Sequence, residues 1–322
     1  MPRGARLDAP GTLHHVMVRG IEGKGIVMDD DDRDFFVSRM GMLAQNTGTL
    51  IFAWALMSNH AHILLKSGES GLAGFMRKLL TVYATRYNRR HQRQGHLFQN
   101  RYKSIICEEE PYFLRLVSYI HLNPLRAGML QSFDELNAYP WSGHSALMNR
   151  SGHEWQERAT VLQHFGKNEG AARKAYLAFV EEESGKGRQP ELTGGGLIRS
   201  TGGWSEVKSL RKRGEKQFSD ARILGSGDFV REILTGAEDS VRNRVPAETN
   251  RKSAEEKLQR ACQKAGVSPE LLQSGSRRHE CTALRRDLAV MFVLEEGLSY
   301  SETAGMLGVS RSAVHQILRR KG

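Results

Sequence analysis

The stretch MSNHAHILLK, Met57–Lys66, predicts the centre of the fold. It begins with a Ser-Asn turn and continues as an apolar run that contains two histidines one residue apart. The preceding run LIFAWAL, Leu50–Leu56, also has the composition of a strand. Two strands joined by so short a connection predict an antiparallel hairpin whose second strand starts at His60.

The two histidines of this hairpin are expected to share one face. Side chains two residues apart on a strand point to the same side, so His60 and His62 lie together and the alternate apolar residues face the other way. This spacing suits two ligands of one divalent metal. A histidine pair beside a turn is more often a surface or hydrogen-bonded structural feature, so the pattern alone leaves both interpretations open.

The segments on either side of the hairpin predict an α+β fold. Strands are predicted at Thr12–Arg19 and Arg101–Glu109, and helices over residues 29–47, 71–95 and 110–123. The resulting order β-α-β-β-α-β-α favours an antiparallel sheet with helices packed on one face.

The third of these helices carries a phenol and an amide on one side. Tyr119 and Asn123 are four residues apart, so their side chains project together. The Asn123 oxygen is a hard ligand acceptable to Mg²⁺ or Mn²⁺, and it completes a His-His-Asn set if the helix packs across the histidine face. A half-buried aromatic residue and a helix C-cap before Pro124 are the plainer interpretations of the same pair.

Composition points to a nucleic-acid partner. The 322 residues carry a formal charge of +11 and a pI near 9.7, which favours binding to a polyanion. An acidic membrane surface is a weaker candidate because no amphipathic anchor is evident. The three cysteines have no C-x-x-C spacing, which is typical of free thiols in a reducing compartment. No leader peptide or membrane span is evident, so we expect a cytoplasmic protein.

The helix predicted over residues 71–95 is strongly cationic. Its arginines are expected to form a track for DNA phosphates rather than a merely solvated face. Tyr83, Tyr87 and Tyr102 lie among basic residues and compete with Tyr119 as nucleophiles, although stacking or packing explains the first two. Candidate DNA contacts in this part of the chain are Arg86, Arg89, Arg90, Arg93 and Arg101.

The C-terminal part predicts a separate DNA-binding module. We expect a first domain over 1–150, a helical extension and Gly-rich linker over 151–203, and a helical region over 204–322. Within the last region, about 277–322, a helix Ser301–Leu307, a turn and a helix Arg311–Arg320 have the pattern of a helix-turn-helix. A small helical interaction module is the alternative. Candidate contacts to duplex DNA are Arg311, Ser312, His315 and Arg319.

Five blocks of sequence resemble the IS200-like single-tyrosine transposases, and more narrowly the REP-associated branch and its solitary relatives. They are HHVMVRG, AWALMSNHAHILL, GHLFQNRYKS, YIHLNPLRAG and YPWSGHSA, in the family's order over roughly residues 10–150. The resemblance implies the ferredoxin-like HUH fold, with a divalent metal, Mg²⁺ or Mn²⁺, on His60, His62 and Asn123. It also implies that Tyr119 is the nucleophile.

The same resemblance implies a reaction and a substrate. It implies metal-dependent nicking and strand transfer of single-stranded DNA, at hairpin or repeat ends, through a 5′-phosphotyrosine, by a monomer or a homodimer. The segment from Ser276 to Leu318 resembles the DNA-binding domain of the DnaA initiator, which implies recruitment to duplex DNA. A catalytically inactive DNA-binding regulator on the same scaffold is the alternative function, and a rolling-circle replication or conjugation initiator shares the metal-histidine chemistry.

Overall fold

The computed structural model describes residues 7, 11–68, 71–187, 189–196, 218–242, 248–276 and 278–320. The described residues form two compact units. The first takes in those of Met1–Leu72 and His96–Asn243, and the second takes in those of Ala73–Gly95 and Arg244–Gly322. The predicted Gly-rich linker falls outside the described residues at 188 and from 197 to its end.

The first unit is built on a sheet with the strand order β2-β3-β1-β4-β5. The strands are β1 Leu13–Arg19, β2 Leu50–Leu56, β3 His60–Lys66, β4 Lys103–Cys107 and β5 Ile223–Leu224. Strand β1 pairs antiparallel with β3 and β4, and β2 pairs antiparallel with β3. The two-residue β5 runs parallel to β4 and was not predicted. The predicted hairpin has the expected bounds, and the α+β class is confirmed.

Helices alternate with these strands along the chain. They are α1 Asp30–Thr47, α2 Gly71–Arg90, α3 Glu109–His121, α4 Asn123–Arg126, α5 Phe133–Ala138, α6 Gly143–Leu147, α7 Arg158–Gln163, α8 Glu169–Ser184 and α9 Gly227–Arg242. Helix α1 begins where the Asp29 carboxylate accepts from the Asp32 amide, and it ends at Gly48 with a left-handed φ of 63°. Helix α3 ends two residues earlier than predicted, and α4 follows directly after Leu122.

Both faces of the central strands are buried, which differs from the expectation of one covered face. On β3, Ile63 and Leu65 are buried on one side, and His62 and Leu64 are buried on the other. Helix α3 covers the His62 side, where Leu116 and other apolar residues of the helix join the same core as Leu64. Full burial of one such leucine stabilises the fold by about 1.5–3 kcal/mol, so the packing of α3 on this face is strongly favoured.

The second unit combines α2, from Ala73 onward, with the C-terminal helices. These are α10 Glu248–Ala265, α11 Pro269–Gln273, α12 His279–Leu294, α13 Tyr300–Leu307 and α14 Arg311–Arg320. Ser299 and Glu302 form a reciprocal capping box at the start of α13, and Gly308 ends that helix with a φ of 64°. The predicted helix-turn-helix is therefore confirmed, with its first helix starting one residue early.

Ion pairs hold α2 within this second unit. Arg77 lies 3.0 Å from the Glu302 carboxylate, and the buried Glu296 carboxylate contacts both Lys78 and Lys257. Gly297 has a φ of 67°, and a Cβ there would lie 2.7 Å from the Lys78 backbone, so only glycine fits. No described helix combines the length and apolar character needed to cross a bilayer.

Candidate active site

Three imidazoles lie on one face of the sheet across two neighbouring strands. In the pairing of β1 with β3, Arg19 lies opposite His60 and Met17 lies opposite His62. His15 precedes Met17 by two residues, so it shares this face and sits diagonally from His62. The ring centroids of His60 and His62 are 5.2 Å apart, as are those of His15 and His62. The structure therefore brings the predicted histidine pair together and adds a third ring.

The ring of His60 is held through its Nδ1 atom. The Asn59 amide nitrogen donates to the Gly23 carbonyl at 3.0 Å, which turns the Asn59 oxygen toward His60 Nδ1 at 2.6 Å. An amide oxygen only accepts, so Nδ1 of His60 carries the proton and Nε2 keeps a lone pair. Burial, aided by the charge of Arg19, lowers the pKa of His60, so this ring is neutral near pH 7.

His62 and His15 form a second hydrogen-bonded pair. Nδ1 of His62 lies 2.9 Å from Nε2 of His15, whose own Nδ1 lies 3.0 Å from the Leu192 carbonyl oxygen. Burial lowers the pKa of His15 to about 4 and holds the pKa of His62 well below its ordinary value. With Nδ1 occupied by His15, the Nε2 atom of His62 is the ring nitrogen left for another ligand.

Tyr119 reaches the same place from helix α3. Its ring centroid is 5.9 Å from that of His62 and 6.0 Å from that of His15, in edge-on contacts. Burial raises the pKa of the Tyr119 phenol, the charge of Arg126 lowers it, and the charge of Glu191 raises it. The phenol is therefore protonated near pH 7 and must lose its proton before or during any attack.

Arg126 was not predicted as a site residue. Its guanidinium carbon lies 5.6 Å from the centre of the Tyr119 ring, and Nη2 donates to the Glu183 carbonyl at 3.1 Å. Its Nε and Nη1 atoms are buried and have no hydrogen-bond partner among the described residues. The block YIHLNPLRAG contains this arginine, and its place in that block was the available signal.

Asn123 occupies the first position of α4, just after the end of α3. It is half-buried, and its Nδ2 atom is buried without a hydrogen-bond partner among the described residues. Such an orphaned amide is rare in a folded protein, and turning the amide over puts an oxygen with free lone pairs in that place. Two imidazole nitrogens and one amide oxygen fit a divalent metal of the Mg²⁺ or Mn²⁺ type.

A buried polar relay fixes the end of α3 and was also missed. The Tyr176 hydroxyl lies 2.7 Å from His121 Nδ1 and 2.8 Å from His144 Nδ1, and His144 Nε2 lies 2.8 Å from the Asn137 side-chain oxygen. All three rings are buried. Because His121 is the last residue of α3, the relay fixes the end of the helix that carries Tyr119 and the point from which the chain continues to Asn123.

The segment Gln189–Gly196, here called the strap, packs against this site. Its Leu192 is fully buried and presents its carbonyl to His15. Arg115 of α3 pairs with Glu191 at 3.0 Å, and the Lys103 ammonium donates to the Thr193 carbonyl at 2.5 Å. The Gly- and Pro-rich composition of the strap predicted only a linker, and nothing in its sequence signals a role in the site.

The predicted phosphate-binding arginines differ in exposure. Arg86, Arg89 and Arg90 of α2 are exposed, whereas Arg93 is half-buried and lies over the Tyr87 ring at 5.6 Å. Tyr83 and Tyr87 are buried, which agrees with their lower rank as nucleophiles. In the first unit, Arg101 is exposed just before β4.

The predicted duplex contacts lie on α14. Arg311, Ser312 and His315 are exposed, and the His315 ring lies 6.0 Å from the Tyr300 ring of α13. The side chain of Arg319 lies outside the described residues. Three of the four positions are thus available to a groove or to phosphates.

Comparison with known proteins gives two family matches, and solved structures match as well. Residues 282–322 match the model of a homeodomain-like domain, which agrees with the helix-turn-helix, while the DnaA resemblance stays a prediction. A solved structure described as "Structure of the REP associates tyrosine transposase bound to a REP hairpin" aligns with a TM-score of 0.39 and 14% identity, over 47% of this chain and 87% of that chain. A search of the curated proteins finds no significant match.

The other family match covers the imidazole face and Tyr119. The model "Transposase IS200 like" matches residues 11–123, which contain β1 to β4, α3, His60, His62 and Asn123. Residues 11–123 of this chain thus match an IS200-like transposase domain, and residues 282–322 match a homeodomain-like domain.

Proposed function

We propose that this protein nicks single-stranded DNA and transfers the strand through a covalent bond to Tyr119, with the help of a divalent metal. The observation that carries the proposal is the position of the Tyr119 ring beside His62, with centroids 5.9 Å apart. A single phosphate group is large enough to touch both side chains. The family match and the cationic composition support DNA as the substrate.

The metal would be held by His60, His62 and Asn123. Both rings are neutral, and each has its Nδ1 atom engaged in a hydrogen bond inside the protein. Each therefore directs Nε2 away from its partner, as a metal-binding imidazole does. When bound, a divalent cation polarises a phosphate oxygen and neutralises part of the charge that develops there.

The covalent step exchanges one phosphodiester for another. The Tyr119 oxygen attacks phosphorus and loses its proton, the bond from phosphorus to the 3′ oxygen breaks, and that oxygen takes up a proton. A phenol with a pKa of about 10 leaves more readily than an alkyl alcohol, so a DNA hydroxyl can reverse the step without an energy source. Arg126, 5.6 Å from the ring, stabilises the phenolate in both directions.

The exposed arginines of α2 would bind the DNA backbone. The bound DNA would be a single strand next to a hairpin or repeat end. Arg86, Arg89 and Arg90 offer charges for successive phosphates. The helix-turn-helix offers a separate contact to duplex DNA. A catalytically inactive DNA-binding regulator is the second candidate, and the helix-turn-helix is the observation that favours it.

Covalent capture separates these two functions. The full chain is incubated with a pool of labelled single-stranded hairpin oligonucleotides and Mn²⁺, denatured, and resolved by electrophoresis. We expect a DNA–protein adduct from the natural protein and from the control Tyr112→Phe, which alters another tyrosine of α3. We expect none from Tyr119→Phe, although that variant still binds the oligonucleotides.

Two results contradict the proposal. An adduct that persists in Tyr119→Phe places the nucleophile elsewhere. Absence of any adduct from the natural protein, with DNA binding intact, favours the regulator. Sequencing the captured DNA identifies the cut site in the same experiment.

A further inference from the structure

We propose that His15, itself held by the Leu192 carbonyl of the strap, is a positioning residue that fixes His62 in the tautomer whose Nε2 atom can bind a metal. This inference rests on the metal role proposed for His62. It assigns a function to a histidine outside the predicted ligand set, and to a backbone carbonyl of the strap that lies beyond the family match at residues 11–123.

The Leu192 carbonyl places the ring hydrogen of His15 on Nδ1. Its Nδ1 atom lies 3.0 Å from the Leu192 carbonyl oxygen. A carbonyl oxygen can only accept, so Nδ1 of His15 must carry a hydrogen. Leu192 and His15 are 177 residues apart in sequence, and both are fully buried, so no water competes for this bond.

The tautomer of His15 determines the tautomer of His62. The His15 ring is completely buried, where a cation would lose its hydration, so the ring has one hydrogen, on Nδ1 facing the Leu192 carbonyl, and its Nε2 atom is an acceptor. That acceptor lies 2.9 Å from Nδ1 of His62. Nδ1 of His62 therefore donates, and its Nε2 atom is left with the lone pair that a metal needs.

The same result is reached independently at His60. There the acceptor is the Asn59 side-chain oxygen, which the Gly23 carbonyl orients. Two unrelated partners thus select the same tautomer in both members of the pair. A merely structural pair has no reason to present both lone pairs in this way, whereas a metal-binding pair requires it.

The strap is anchored on both sides of Leu192. Glu191 pairs with Arg115 of α3 at 3.0 Å, and Thr193 accepts from Lys103 of β4 at 2.5 Å. These contacts hold the Leu192 carbonyl against β1. The strap therefore fixes the Leu192 carbonyl as the acceptor for His15, and His15 in turn is the acceptor for His62.

The test reads the tautomer directly, without DNA. The full chain is labelled with ¹⁵N-histidine, and the ring nitrogens are observed by NMR in the absence of metal, with His62→Gln used to assign the His62 signals. We expect the hydrogen of His62 on Nδ1 in the natural protein. We expect His15→Phe to lose this preference, and His15→Gln to retain it because the glutamine amide can both accept from His62 and donate to the carbonyl.

Metal affinity provides the second measurement. Titration calorimetry with Mn²⁺ is expected to give binding about 10–100-fold weaker for His15→Phe, the usual range for loss of a partner that orients a ligand. His15→Gln should stay close to the natural affinity. His14→Phe is the matched control, because His14 is a buried histidine of the same strand that faces the other side of the sheet.

The possible failures are distinguishable. A hydrogen on Nε2 of His62 in the natural protein, or an unchanged tautomer and Mn²⁺ affinity in His15→Phe, overturns the inference. If His15→Phe does not fold, the smaller apolar substitution His15→Leu takes its place. Loss of the Nδ1 preference of His62 with weakened Mn²⁺ binding in that variant supports the inference, and behaviour identical to that of His14→Phe argues against it. Failure of the natural protein to bind Mn²⁺ would instead refute the proposed metal role, whatever the tautomer.

Discussion

Tyr119 and His62 meet edge to face, with ring centroids 5.9 Å apart and an angle of 79° between the ring planes. One ring comes from helix α3 and the other from strand β3 of the same chain, so the nucleophile and the ligand pair proposed here need no second subunit to meet.

Loss of His62 should remove metal binding and metal-dependent cleavage together. His62→Ala deletes a proposed ligand, so Mn²⁺ affinity should fall by more than the 10–100-fold expected for loss of an orienting partner. Calorimetry and the yield of adduct measure the two effects, and His279→Ala, on the exposed start of α12, is the control. Unchanged nicking by the natural protein in excess chelator would contradict the metal role.

Arg126 and Glu191 should shift the pH dependence of adduct formation in opposite directions. The charge of Arg126 lowers the pKa of Tyr119, so Arg126→Met raises that pKa and moves the alkaline rise in rate to higher pH. Glu191 raises the pKa, so Glu191→Gln moves the rise to lower pH. The rate of adduct formation is measured from neutral to alkaline pH. Shifts in the same direction would show that these charges do not act through the phenol.

The exposed arginines of α2 should contribute to DNA affinity in a salt-dependent way. If Arg86 and Arg89 each contact one phosphate, the double alanine variant lowers the slope of log affinity against log salt by about 1.4, at about 0.7 per contact on single strands. Fluorescence anisotropy at several salt concentrations measures this slope. Arg231→Ala, an exposed arginine of α9, serves as the control. An unchanged slope would make the arginines a solvated face.

The helix-turn-helix should govern duplex binding and leave covalent capture of single strands intact. Replacing Arg311 and His315 of α14 by alanine removes two exposed candidates for groove or phosphate contacts. Each contact to a base edge is worth about 1–3 kcal/mol, so duplex affinity should fall roughly tenfold or more. If duplex affinity and its salt slope are unaltered, the module has another role.

Packing behind the Tyr119 helix should tolerate no added methyl group at Gly143. A Cβ at this position would lie 2.8 Å from Nε2 of His121 and 2.9 Å from the Gln156 amide, both buried. Overpacking of this kind costs about 1–3 kcal/mol, which lowers the melting temperature by several degrees. Gly152→Ala is the matched control because it meets no atom within 4 Å. Equal melting temperatures for the two variants would contradict the packing described here.

The sequence predicted the local part of the site and missed the part built from distant residues. Strand periodicity was enough to put His60 and His62 on one face. The pairing of Tyr119 with Asn123 stays a prediction, because it assumed one continuous helix and α3 ends at His121, before Asn123. Neither pattern could show that His15 bonds to a carbonyl 177 residues away. The glycines and the proline of the strap have no periodicity, so its sequence predicts only a linker. Its conformation is fixed by contacts with β1, β4 and α3.

The polar relay behind α3 was missed for a similar reason. His121, His144 and Tyr176 stand far apart in the sequence, and each alone is typical of an ordinary helix residue. Their hydrogen bonds exist only because α3, α6 and α8 pack together. Tertiary contacts of this kind leave no local signal.

Helix α2 limits how this protein can be dissected or recombined. Its residues from Ala73 onward belong with the C-terminal helices, although the family match to the transposase domain runs through them without a break. A gene fragment that ends at the linker would strip Arg77 and Lys78 of their acidic partners, and a fragment that starts there would lack a helix. Because α2 from Ala73 onward belongs to the same unit as the C-terminal helices, an exchange of those helices for the ones of a homologue must also replace this part of α2.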